Sequence, residues 1–230
     1  MSLHAALLAL QHADSAFPSG GFAFSQGLEA WSALEAAESG SRVSPARLQG
    51  FLGQQLRQRW TGADRVAVAL AHRAAPDIDR LAAVDAEVEA ATLNARFRDG
   101  SRRNGAALLA SHDRLATPGA AAYRRHVTAG GAPGHLAVVQ GLVWAGLGLE
   151  EQPALSMSGY TFLAGLTSAA VRLNLAGAIA AQAMLRDLLP LVAQAVAEPV
   201  PMDAVMTAFT PLTEIAIMQG GREGARLFSS

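Results

Sequence analysis

Cysteine is absent from the 230 residues, which removes disulfides, thiolate metal sites and cysteine nucleophiles together. Lysine is absent too, all 18 basic residues being arginine, so no P-loop lysine exists to reach a phosphate. Charged residues make up only 16% of the chain and the net charge is −1, leaving no basic footprint for nucleic acid. Aromatics are few, at 6%, β-branched residues seldom come in runs, and no stretch alternates apolar and polar long enough to argue a sheet. No basic residue precedes the apolar stretch at Met1–Gln11 and no small-residue cleavage site follows it, so no secretory signal is expected. The six histidines, at 4, 12, 72, 112, 126 and 135, are scattered without HExxH or paired-ligand spacing.

What the chain has is apolar content of 51%, dominated by alanine and leucine. That bias predicts an all-α fold: a single-domain helical bundle of short and medium helices over residues 1–218. Gly220, Gly221 and Gly224 disfavour a stable helix beyond it, so residues 219–230, which close on the amphipathic run Arg226-Leu227-Phe228, are expected to form a flexible C-terminal interaction tail. A first helix is expected over Leu3–Ala13 and a second from Phe22 to about Glu38, separated by the turn Asp14–Gly21. Ser44-Pro45 reads as N-cap and first helical position, opening a helix with Leu48, Phe51, Leu52, Leu56 and Trp60 on one side. Asp77 can cap a helix whose Leu81, Val84, Val88 and Ala91 recur at three- and four-residue steps. Arg98–Leu115 reads as helix, Gly130–Gly134 as a break, and helices follow from His135 and Pro153. In the last of these Leu163, Leu166, Ala170 and Leu173 form a stripe, and Gly159, Ala164, Gly165 and Ser168 allow close helix approach. Pro190, Pro199, Pro201 and Pro211 are expected to divide the last third into short helices.

Two segments, Val127–Leu149 and Gln152–Val171, contain no Asp, Glu, Lys or Arg. Their Gly, Ser, Thr and Gln content favours buried core helices over membrane spans. His12, Asp14 and Ser15 stand close enough in sequence to suggest a hydrolase, although the members of a catalytic triad converge from separate elements. Ser19-Gly20-Gly21 before a helix reads as a tight backbone turn rather than a phosphate cradle. Arg96, Arg98, Arg102 and Arg103 form a basic cluster, and Asp99–Arg103 at i,i+4 makes much of it a solvated helix face.

The run Pro18-Ser19-Gly20-Gly21-Phe22-Ala23-Phe24-Ser25-Gln26-Gly27-Leu28-Glu29 resembles the PxGGFxxSxGLE segment of the UreF family of urease accessory proteins. Arg98, Ser101 and Gly105 resemble that family's RxxSxxxG stretch, and His135 and Gly141 its histidine-led helix. Ser168–Leu173 with Arg172, Gly177 and Gln182 resembles its SAAVRL segment, and Arg226, Leu227, Phe228 and Ser230 its C-terminus. The chain departs from the pattern at Ala178, at Asn174–Ala176, and at Gln219-Gly220-Gly221, where the family commonly has Arg-His-Glu. The resemblance implies a cytoplasmic, all-helical homodimer that is not an enzyme. It implies a scaffold linking a UreD/UreH-type protein and a UreG-type GTPase during nickel insertion into apo-urease, nickel being handled by the complex with no cofactor held tightly by this chain. The alternatives are the His12/Asp14/Ser15 hydrolase and a UreF-derived helical partner that has diverged to another client.

Overall fold

The computed structural model describes residues 2–19 and 25–219, and every regular element among them is helical. Helix α1, Leu3–Ala13, starts where the Ser2 hydroxyl accepts the Ala5 N–H. Helix α2, Leu28–Ser39, begins later than the expected Phe22, which lies outside the described residues. The reason is local: Gln26 and Gly27 have φ of 51° and 80°, and left-handed backbone is incompatible with a continuing right-handed helix.

Helix α3, Pro45–Gln55, opens as its sequence predicts, with Ser44 accepting the Arg47 N–H and Pro45 in the first turn. It runs without a break into a π-helical segment, Leu56–Asp64, and then into α4, Arg65–Ala74. The π-helical stretch buries Leu56 and Trp60, and its Gln58 and Gly62 carbonyls accept the Phe209 and Thr207 N–H groups of a non-helical strap. Helix α5, Ile78–Ala91, is capped by Asp77, and α6, Ala95–Arg114, by Asn94, a few residues ahead of the expected start at Arg98. Then follow α7, Ala120–Thr128, α8, Leu136–Gly146, and α9, Glu151–Arg172.

Helix α10, Ala178–Ala197, corrects one expectation, for it continues straight through Pro190. Proline there removes the N–H that would bond the Arg186 carbonyl; both residues are solvent-exposed, where water can take that bond. The remaining prolines behave as read: α10 ends before Pro199, and Pro211 opens α11, Pro211–Gln219.

The core is built on α4 and α8, with α9 backing α10 and α6 lying across α8. Leu48, Leu52, Leu56, Leu163 and Leu166 are fully buried, each worth about 1.5–3 kcal/mol relative to exposure. Of the small residues on α9, Gly159 lies against Trp60 and Val192, whereas Gly165 faces open space. Helices α9 and α10 are long and apolar enough to cross a membrane by length and composition; in α9 that apolar stretch is 61% buried against its neighbours, as befits a core helix. The other uncharged run, Val127–Leu149, is broken between Thr128 and Leu136.

Candidate functional site

Two of the RxxSxxxG residues, Ser101 and Gly105, meet at one turn, and Arg98 reaches it only through Glu89. Ser101 on α6 accepts the Leu136 N–H at 3.2 Å, capping α8 from outside its own chain segment. One turn further along α6, Gly105 lies directly against the Gly134 carbonyl, where a Cβ would collide with the oxygen. Arg98 donates to the Thr92 and Leu93 carbonyls and pairs with Glu89 at 3.2 Å. Arg102 also pairs with Glu89, and Asp99 lies 3.9 Å from Arg102. Much of the arginine cluster therefore ties α6 to α5 rather than facing solvent alone, with Asp99 meeting Arg102 at i,i+3.

Two residues that the sequence reading passed over complete this turn. Asp85, fully buried on α5, accepts the Tyr123 hydroxyl at 2.7 Å, the Gly134 N–H at 2.5 Å and the His135 N–H at 2.9 Å. Glu89, one turn on, takes His135 Nε2 at 2.8 Å. Burial pushes the Glu89 carboxyl up, but hydrogen bonds from Arg102 and His135 outweigh it and hold the group below its ordinary value. A signal existed: Asp85 sits between Leu81 and Val88 on the buried face of α5, and a carboxylate in an apolar stripe needs partners.

The N-terminal signature meets the far end of the chain. Gly27 packs against Thr213 and Ile217 of α11 and against Phe97. Thr213 also accepts the buried Gln55 side chain at 2.7 Å. Ser25 is fully buried, Glu29 lies in the first turn of α2, and the Pro18 carbonyl accepts the Ser111 hydroxyl. Gly20, Gly21 and Phe22, like Arg226, Leu227 and Phe228 of the tail, lie outside the described residues.

Arg172 closes α9, with Nε 3.4 Å from the Ser168 carbonyl, and burial lowers the pKa of its guanidinium. Gly177 and Gln182 are exposed at the start of α10, beside Ile179. They join neither the α6–α8 turn nor the Gly27 contact.

A cavity of about 210 Å³ opens between the end of α1, the π-helical segment, α6, α8 and α9. His12, Asp14 and Ser15 border it but do not form a triad. His12 Nδ1 donates to the Leu8 carbonyl at 2.8 Å, its ring stacks on His112 with centroids 5.1 Å apart, and Asp14 accepts the Ala16 N–H. Burial lowers the pKa of both imidazoles, that of His112 to about 4 with His12 adding to the effect. Among the described residues no three His, Asp or Glu side chains are grouped to hold a metal ion.

A family model described as UreF matches residues 43–189. The chain belongs to the UreF family. It is similar to the urease accessory protein UreF of Kocuria rhizophila, 35% identical over 237 residues that cover 100% of this chain and 98% of the relative. The UreF of Arthrobacter sp. is 32% identical, covering 97% of this chain and 96% of its own length. That of Trichodesmium erythraeum is 29% identical with the same coverage. The UreF-like segments at Arg98–Gly105 and Gly27 are thus fold-forming contacts. Exposed apolar side chains lie elsewhere, several of them on α1 and α11.

Proposed function

We propose that this UreF-family chain is a cytoplasmic, non-enzymatic scaffold in urease maturation, acting as a homodimer that links a UreD/UreH-type protein to a UreG-type GTPase. Nickel passes into apo-urease through the assembled complex. The observation carrying this reading is the two-sidedness of α11. Its inner residues Thr213, Ala216 and Ile217 are buried, while Leu212, Ile215 and Met218 on the other side are exposed. Phe209 and Val205, on the strap that leads into α11, are exposed as well, at 70% and 78%. Single exposed apolar side chains are ordinary, but a row of them on one surface marks an interaction site. Helix α1 repeats the arrangement with Leu3, Leu7 and Leu10 exposed, at spacings that share a helix face.

The α11 row leads directly into residues 219–230, which we assign as the docking tail for the UreD/UreH-type partner. Burying two or three such side chains supplies several kcal/mol at about 1.5–3 kcal/mol each, enough to move an affinity by more than a power of ten. Co-expression tests the reading. The tagged chain should retain the UreD/UreH-type protein, and the pair should retain the UreG-type GTPase. An Ile215→Asp, Met218→Asp double variant, folded by circular dichroism, should retain neither. Full retention by that variant would remove α11 from the interface.

A further inference from the structure

Helix α1 has a single buried side chain, and it is a histidine. His12 is buried, whereas Ala5, Leu8 and Ala9 are half-buried and Leu3, Leu7 and Leu10 face outward. The His12 ring lies nearly parallel to that of His112 on α6, with centroids 5.1 Å apart. Phe17, in the turn after α1, packs on both rings at 4.5 and 5.5 Å. Each imidazole has its Nδ1 engaged, His12 with the Leu8 carbonyl and His112 with the Thr117 hydroxyl at 2.9 Å. Each has its Nε2 shut off from solvent without a partner. This arrangement suits two neutral rings: an unpartnered ring nitrogen costs far less than a buried charge, and two charged rings at this separation would repel each other.

The carboxylates around the pair are engaged elsewhere. On α6 the neighbouring Asp113 accepts from Arg124 of α7 at 2.6 Å. Asp14, beyond the end of α1, is exposed and accepts from its own turn. Across the cavity the π-helical segment brings Arg59 with Asp64, 3.6 Å apart, and α9 brings Arg172. Helix α8 carries no charged side chain. With both Nε2 atoms closed off, a proton reaches either one only when α1 lifts away. Proton uptake and undocking of α1 are therefore one equilibrium.

We propose that the His12–His112 stack is a pH-operated latch, docking α1 while both rings are neutral and releasing it when either takes up a proton. Release opens the side of the cavity bordered by His12, Asp14, Ser15 and Phe17 and moves the Leu3, Leu7 and Leu10 row with it. The direction follows from burial, which lowers the pKa of both imidazoles, that of His112 from 6.5 to about 4. The undocked form then binds the proton more readily, so docking is complete above pH 6.5 and weakens as pH falls toward about 4. The inference does not depend on the scaffold reading, since the latch closes within one chain.

The test is hydrogen exchange on the full chain between pH 7.5 and 5, with each rate divided by its intrinsic rate at that pH. Undocked, the 11-residue α1 is too short to keep its amides protected. Its protection should lie below that of α4 and α8 and should fall by up to about thirtyfold over this range, the linkage expected for His112 alone. In a His12→Gln, His112→Gln double variant α1 protection should stay level with pH. Should that variant fail to fold, His112→Gln alone should show a smaller fall than the natural chain. The proposal is overturned if α1 is already unprotected at pH 7.5 or its protection does not change with pH. Protection equal to that of α4 and α8 at every pH, which marks unfolding of the whole molecule, or a full pH response in the folded variants overturns it as well.

Discussion

Gly105 of α6 lies against the Gly134 carbonyl with no room for a methyl group between them. Gly105→Ala should therefore force α6 away from the α7–α8 turn and destabilise the protein by about 3 kcal/mol. Ser101→Ala, which removes only the cap on the Leu136 N–H, should cost about 1 kcal/mol. Urea denaturation ranks the two; equal small effects would mean that the turn tolerates separation from α6.

Asp85 collects the Tyr123 hydroxyl and two backbone N–H groups in the same region. Tyr123→Phe deletes one donor and leaves Asp85 its other two, so a loss of about 1–1.5 kcal/mol is expected. Asp85→Ala strands all three and should cost about 3–4 kcal/mol. A double variant should lose much less than the sum, because both changes break one network.

The buried imidazole pair makes stability depend on pH. The His112 pKa falls from 6.5 to about 4 on folding, through burial and the neighbouring His12. A lowered folded-state value means that the unfolded chain binds the proton more readily between those two pH values. The contribution is complete above pH 6.5 and is lost as pH falls toward about 4, amounting to about 3 kcal/mol. His12 shifts in the same direction. Denaturation midpoints between pH 7 and 4 should fall steeply for the natural chain and less steeply for His112→Gln.

Gly27 joins the N-terminal signature to α11, combining a φ of 80° with contact on Thr213 and Ile217. Gly27→Ala is strained by the backbone and obstructed by Thr213. Hydrogen exchange should show protection lost in α11 and the first turn of α2 while α4 and α8 stay protected. Removing Gln219–Ser230 starts beyond the buried face of α11 and should change stability by no more than about 0.5 kcal/mol, yet abolish co-purification with the UreD/UreH-type partner.

Much of this was legible in the chain. Ser44-Pro45, Asp77 and the Leu163–Ala170 stripe announce helices because caps and periodicity are local. The run through Pro190 was not legible, since whether a proline breaks a helix depends on which side faces water. Nor was the role of Arg98, Ser101 and Gly105, whose partners lie on other elements. The histidine stack is invisible in sequence for the same reason: His12 and His112 meet only after α1 and α6 have packed.

The scaffold account is tested most directly by urease activation in cells that carry the urease and the remaining accessory genes but lack this one. The natural chain should restore activity, and so should a His12→Ala, Asp14→Ala, Ser15→Ala triple variant that keeps its fold. Ile215→Asp, Met218→Asp should not, despite normal folding and abundance. Activation that survives loss of the α11 surface but disappears with the folded triple variant would contradict the account and point to chemistry at α1 instead.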